Sequence, residues 1–327
     1  MSRQKHDRKC RDEGAHEEWQ PEVTTAEGYH VPVLLHETME QLITDPNGIY
    51  IDATFGGGGH SREILARLGE RGHLFGFDQD ADAERQCDIE DPRFTFVRSN
   101  FRYLAHFMNY YGLSQVTGIL ADLGLSSHHL DDPTRGFSFR FDAPIDMRMN
   151  NEGGRSAKNF ITESSVEELT EALRQYGEIR GAYRIAQLLK EADEAGRLTT
   201  TQELIDAIAP ATPPHDKKNL ARIFQALRIV TNDEIGALEE LLHAGSTLLQ
   251  EGGRFAIITY HSLEDRPVKY FFRNGNLHGE RVTDSYGKLL APLRPLSNKP
   301  TLPSSAELTS NPRSRSAKLR IATKLPF

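Results

Sequence analysis

The sequence predicts an α/β fold, an open and mostly parallel sheet interrupted by an all-helical insertion. Three observations predict it. The run Ile49–Tyr50–Ile51–Asp52 reads as a short buried strand, followed by four glycines (Gly56 to Gly59) and by Ile64, Leu65 and Leu68 at helical spacing. A second apolar run, His73 to Phe77, closes on Asp78 about twenty residues further on, where a ribose-binding carboxylate belongs in a nucleotide-binding strand–helix–strand unit. Between Ser127 and Asp216, amphipathic helical patterns replace the strand patterns.

The first strand, glycine turn and helix make a cradle where bare backbone can approach a ligand. Its glycines fit G-x-G-x-x-G poorly, and no G-x-x-x-x-G-K-[ST] is present, which argues against a dinucleotide or a P-loop. Asp52 just before the turn repels a pyrophosphate and welcomes a cation. S-adenosylmethionine, with an ammonium, a sulfonium and no phosphate, suits that charge better than NAD. The plainer alternative is a tight turn without a ligand, but four consecutive glycines cost chain entropy that such a turn does not require.

Taken in order, residues Met1 to Gly28 mix acids and bases with almost no aliphatic residues and read as a disordered tail. A helix follows over Glu37 to Leu42. Beyond the cradle, Phe94–Thr95–Phe96–Val97 is a third strand and Val116 to Asp122 a fourth. Ligands of open parallel sheets sit outside the carboxyl ends of the strands, so Asp52, Asp78, Phe101 and Asp122 converge on one rim. Leu123 to Met149 is a long loop rich in turn formers and aromatics, uncommon in a compact domain unless functional. Helices are expected over Ser165 to Tyr176, opened by a Ser165/Glu168 capping box, then over Arg180 to Ala195, Thr201 to Ile208, Lys217 to Val230 and Thr231 to Gln250. Gly253 to Tyr260 is a fifth strand, Pro292 to Ser305 a flexible connector, and Leu319 to Ala322 a last strand. The domain plan is a tail (1–28), a sheet domain in two parts (29–126 and 217–327), and a helical insertion (127–216).

Composition narrows the function. At 327 residues the chain can build one large or two ordinary domains. Its net charge of −8 argues against nucleic-acid binding by bulk charge, so any such contact needs local basic patches. Two cysteines, Cys10 and Cys87, form no disulfide framework or zinc pattern, and no apolar run has the length of a membrane span. A soluble, cytoplasmic protein is expected.

Methyl transfer from a sulfonium is an in-line displacement in which positioning does most of the work. For an amine acceptor, carboxylates or a histidine that hold the amine and take its proton would help. Asp122, Asp146, His261 and Glu264 are candidates, although His261 can equally cap the next helix and Asp122 can bind the cofactor's ring edge. Phe101 is placed to stack on an adenine. The pair His128–His129 lacks partners to complete a zinc site, so no metal is expected. Arg313, Arg315, Lys318, Arg320 and Lys324 form an acid-free stretch. With Arg135, Phe137, Phe139, Arg140 and Arg148 they offer phosphate contacts and stacking surfaces for RNA.

Five segments carry a resemblance: IDATFGGGGHS, DLGLSSHHLDDPTRGFSFRFDAPIDMRM, RIFQALRI, ITYHSLEDR and NPRSRSAKLRIA. In order and spacing they resemble the bacterial RsmH (MraW) family, from about His30 to Lys324. The resemblance implies a Rossmann-like class I methyltransferase domain with an inserted helical domain for substrate recognition. It implies S-adenosylmethionine-dependent methylation of the exocyclic N(4) amine of one cytidine in the 16S rRNA decoding centre, with the small (30S) subunit as partner and an oligomer compatible with it. Carried over, cofactor contacts fall on Gly58, Gly59, His60, Asp78, Phe101, Asp122 and His129. The family usually has glutamine at the last of these; a histidine there can still donate or accept one hydrogen bond. Rival readings are a DNA amino-methyltransferase, which would more often show a D/N/S-P-P-[YFW] motif where this chain has Asp122–Leu123–Gly124–Leu125, a nicotinamide-dependent oxidoreductase, and a non-catalytic RNA-binding module.

Overall fold

The computed structural model describes residues 32–326, and the tail expected over 1–28 lies outside the described residues. Seven strands form one sheet: β1 (Ile49–Asp52), β2 (His73–Asp78), β3 (Phe94–Arg98), β4 (Val116–Asp122), β5 (Leu249–Thr259), β6 (Leu293–Pro295) and β7 (Lys318–Lys324). Their order is β3-β2-β1-β4-β5-β7-β6. Strands β1 to β5 are parallel, whereas β7 runs antiparallel to both β5 and β6. This is the Rossmann-like sheet that the sequence predicts. Strand order reverses between β1 and β4, which opens a crevice at the ends of those two strands. Asp52 and Asp122 are the residues that end them.

Alternation along the strands builds two apolar layers. Ile51, Phe77, Ile119, Phe255 and Ile257 face one core with the helices Glu234–Leu248 and Ser262–Asn274. Tyr50, Leu74, Leu120, Ala256 and Ile258 face the other with Leu35–Leu42 and Gly59–Arg67. A third core, running from Phe137 to Leu227, belongs to the helices Ala157–Glu163, Val166–Gly177, Ala182–Glu194, Thr201–Ile208 and Lys217–Asn232. The Ser165 capping box forms in full: Glu168 N–H donates to Ser165 Oγ at 3.1 Å and Ser165 N–H to Glu168 Oε2 at 2.8 Å. No helix of the described residues is long and apolar enough to cross a membrane.

Two expectations on organisation are corrected. The Pro/Ser-rich run Pro292 to Ser305 is not a featureless connector, because Leu293 to Pro295 add an edge strand to β7 and Thr301 bridges Leu319. An edge position tolerates proline, and the side chain that fixes the strand is Leu293, 1% exposed. The boundary expected between the helices Lys217 to Val230 and Thr231 to Gln250 falls instead at Asp233, whose left-handed conformation (φ 47°) ends the helix Lys217–Asn232 and starts Glu234–Leu248.

Candidate active site

The cradle is built by β1, its turn and the helix that follows. Gly56 and Gly58 take φ values of 51° and 74°, which favour glycine, and no side chain caps the helix that Gly58 precedes. A side chain at Gly57 would meet only open space within 4 Å. Across the turn, Asp78 at the end of β2 receives Gly56 N–H on Oδ2 (2.8 Å) and Asp80 N–H on Oδ1 (2.9 Å). Each oxygen keeps a second acceptor position, the arrangement a ribose diol requires. Burial pushes the Asp78 pKa up, and the two backbone donors oppose that rise.

Asp52 is fully buried beneath the turn. Ser61 Oγ donates to it at 2.7 Å and Thr54 N–H at 3.2 Å, yet burial raises its pKa to about 6. Its charge therefore reaches the crevice through space. Asp122, at the end of β4, is oriented from three sides. Its backbone N–H donates to Thr54 Oγ1 at 2.7 Å, Tyr260 Oη–H donates to its Oδ1 at 2.8 Å, and His60 Nδ1 stands 3.8 Å from its Oδ2. Burial, with Asp52 and Glu264 nearby, pushes its pKa to about 7 against the pull of the Tyr260 bond. Burial lowers His60 to about 4, so it is neutral near pH 7. Its Nε2 lies 3.1 Å from the Val33 carbonyl, which assigns the proton to Nε2 and leaves Nδ1 facing Asp122.

Phe101 opens the turn after β3 and is half-buried against the sheet core. Beside it Asn100 donates to Gln79 at 2.9 Å, and both line a cavity of about 360 Å³ with Ser99, Arg148 and Asn232. His261 caps the helix Ser262–Asn274, and Glu264 accepts Tyr260 N–H at 2.8 Å. His261 Nε2 is 3.1 Å from Glu264 Oε1 but not aligned for a hydrogen bond. Ligand-type atoms of Glu234, His261 and Glu264 lie within 4.8 Å of one another. The positive charge beside them comes from Arg228, which grips Glu234 through two bonds of 2.7 and 2.8 Å. His261 is thus at the rim and at a helix cap together, the two placements its sequence left open.

A family model described as the MraW methylase family matches residues 27–325. The chain belongs to the MraW methylase family. Among its relatives, ribosomal RNA small subunit methyltransferase H of Parabacteroides distasonis is 53% identical over 299 residues, 91% of this chain and 98% of the relative. The protein of the same name from Porphyromonas gingivalis (strain ATCC 33277) is 51% identical over 303 residues, 91% and 97% of the two chains. A solved rRNA methylase from Streptococcus thermophilus aligns at 13% identity with a TM-score of 0.37, over 91% of this chain and 100% of that one. The chain is a methyltransferase.

Several residues of this MraW-family chain expected to contact cofactor or RNA are tied up inside it. His129 is 6% exposed, its Nε2 2.7 Å from Asp80 Oδ2, its Nδ1 3.1 Å from Ser126 Oγ, and its ring against Phe137. Arg135, also 6% exposed, donates to Asp80 (2.9 Å), Asp82 (3.2 Å) and the carbonyls of Arg148 (2.8 Å) and Met149 (2.9 Å). Burial would raise the Asp80 pKa, but His129, the Asp82 N–H and Arg135 hold it well below the usual carboxylate range. Arg135 and Phe137 therefore clamp the loop after β4 and present no RNA surface in this structure. Arg148 forks onto both oxygens of Asp146 (2.9 and 2.7 Å), and that pairing holds Asp146 low and opposes its use as a proton acceptor. Arg320 and Lys324 are internal struts, to Asp265 and the Ser246 carbonyl. Arg313 pairs with Asp131 at 3.0 Å, and Arg315 is exposed. Sequence reasoning missed Thr54, Ser61, Asp80 and Tyr260. Only Asp80 carries a local signal, as the acidic N-cap of the short helix after Asp78.

Proposed function

We propose that this chain transfers the methyl group of S-adenosylmethionine to the exocyclic N(4) amine of a specific cytidine in the 16S rRNA decoding centre, within the small ribosomal subunit. Membership of the MraW methylase family and relatives named ribosomal RNA small subunit methyltransferase H support the class of reaction. The observation that carries the amine assignment is Asp122, a buried carboxylate with a pKa of about 7 at the switch point of the sheet. Such a group accepts an N–H hydrogen bond and a proton near neutral pH.

The cradle fits the cofactor by its chemistry. Carboxylates and bare backbone surround a ligand that carries cationic groups and no phosphate. When bound, S-adenosylmethionine supplies an electrophilic methyl carbon on a sulfonium. Asp78 holds the ribose hydroxyls, Gly58, Gly59 and His60 form the wall of the cradle, and Phe101 packs on the adenine. Asp122 orients the acceptor amine, whose lone pair is delocalised into the ring, and receives its proton as the nitrogen–carbon bond forms. The helical layer with its own core recognises the RNA, and Arg315 and Arg313 contact phosphate. The protein acts in the cytoplasm, where its substrate is assembled.

A methyl-transfer assay tests this reading, with labelled cofactor on small subunits lacking the modification beside naked 16S rRNA. Nucleoside mass analysis is expected to place the label in N(4)-methylcytidine. Cofactor binding without that product would overturn the substrate.

A further inference from the structure

Tyr260 follows β5 and is not among the residues the family resemblance assigns to the site. Its ring lies over Gly124, where an added Cβ would stand 3.3 Å from the ring and φ is 104°. The glycine therefore makes room for the phenol beside the end of β4. Its backbone N–H is held by Glu264, and its hydroxyl ends on Asp122 Oδ1 at 2.8 Å. Burial and the adjacent Asp122 carboxylate hold the phenol pKa far above its usual value, so the hydroxyl is a permanent donor. With Oδ1 committed, Oδ2 is the oxygen left for a ligand, and His60 Nδ1 stands 3.8 Å from it.

We propose that Tyr260 is a positioning residue for the transfer: its hydroxyl fixes Asp122 Oδ1 so that Oδ2 faces the acceptor amine. This rests on the reading of Asp122 as the group that holds that amine. In the step, the amine nitrogen forms a bond to the methyl carbon, the carbon–sulfur bond breaks with its electron pair going to sulfur, and one amine proton passes to Asp122 Oδ2. The hydroxyl also favours the charged form of Asp122 against burial and against the carboxylates that face it, Asp52 from β1 and Glu264 from the helix Ser262–Asn274. Neutral His60 faces it from the helix Gly59–Arg67, and Glu307 faces Tyr260 from the helix Ser305–Ser310.

The test is Tyr260→Phe, which keeps the ring over Gly124 and removes only the donor. Single-turnover transfer to small subunits is followed from pH 6 to 9, with cofactor affinity and melting temperature measured beside it. The expected result is cofactor affinity within about twofold, transfer roughly tenfold slower at pH 7, and recovery toward the wild-type rate by pH 9, given the weight of a hydrogen bond to a charged group. A loss of equal size at every pH, an unchanged rate, or a fall in cofactor affinity with an unmoved pH profile would overturn the proposal. If wild-type enzyme labels a nucleoside other than N(4)-methylcytidine, the substrate reading fails while the pH shift is still read on that product.

Discussion

A carboxylate buried beside two others titrates unlike one in water, and Asp122 turns that into a pH dependence. As the proposed acceptor of the amine proton it must be ionised, and its pKa is about 7. Transfer is therefore expected to rise with pH through about 7 and then level, a profile that rate measurements on small subunits check. A limb centred below pH 5 would remove Asp122 from the step. His60, held near 4, contributes no limb of its own in that range. The same shift has a stability sign. Because the folded pKa lies above the ordinary carboxylate value of 3.8, the native state binds more protons between that value and 7, so this contribution falls as pH rises through the window. The difference in melting temperature between wild type and Asp122→Asn is expected to decline over that range. Asp78 supplies a separate prediction. Asp78→Ala removes the carboxylate proposed to hold the ribose and leaves Gly56 and Asp80 N–H without their partner. Calorimetry is expected to show cofactor affinity weakened by about tenfold or more, the scale of losing a charged hydrogen-bond partner, and unchanged affinity would remove the ribose role.

Single elements show which parts of the structure local sequence specifies. The Ser165 box and the helix Thr201–Ile208 were readable because their signals lie within one turn of chain. The same is true of the strand–glycine–helix cradle and of Asp78. Ser165→Ala is accordingly expected to lower stability by about 1 kcal/mol, measured as a shift in denaturant midpoint at constant slope. The clamp of Asp80, His129 and Arg135 was not readable. Its members come from the β2 turn and from the loop after β4, 49 and 55 residues apart, and nothing near Arg135 marks it as buried. A basic residue amid aromatics looks the same in sequence whether it faces RNA or folds inward onto two aspartates and two carbonyls. Arg135→Met separates the two. Losing a buried strut takes from Asp80 one of its partners, with His129 and the Asp82 N–H remaining, and costs about 1.5–3 kcal/mol in unfolding free energy, whereas a surface cation costs almost nothing. The break between the helices Lys217–Asn232 and Glu234–Leu248 was readable but not its position at Asp233, since a left-handed aspartate between two helical patterns leaves the apolar period nearly intact.

For the whole molecule the central tension is a net charge of −8 on a chain proposed to bind a polyanion. The structure sharpens it, because Arg135, Arg320 and Lys324 are internal and Arg148 is held by Asp146. Of the basic residues once assigned to RNA in the 313–324 stretch, Arg315 is exposed, while Arg313 and Lys318 lie partly open beside Asp131 and Asp265. Through this set few phosphates are neutralised, so recognition on this face rests on shape and on singly presented bases more than on charge. Counterion release makes this measurable. Each phosphate contact contributes about 0.7 to the slope of log affinity against log salt on single-stranded RNA, so two or three contacts predict a slope of about −1.5 to −2. Arg315→Ala is expected to flatten that slope by somewhat under one and to weaken binding at low salt, with the transfer rate at saturation unchanged. A slope steeper than about −5 would require a basic surface that this face does not provide, and would move the RNA interface elsewhere on the molecule.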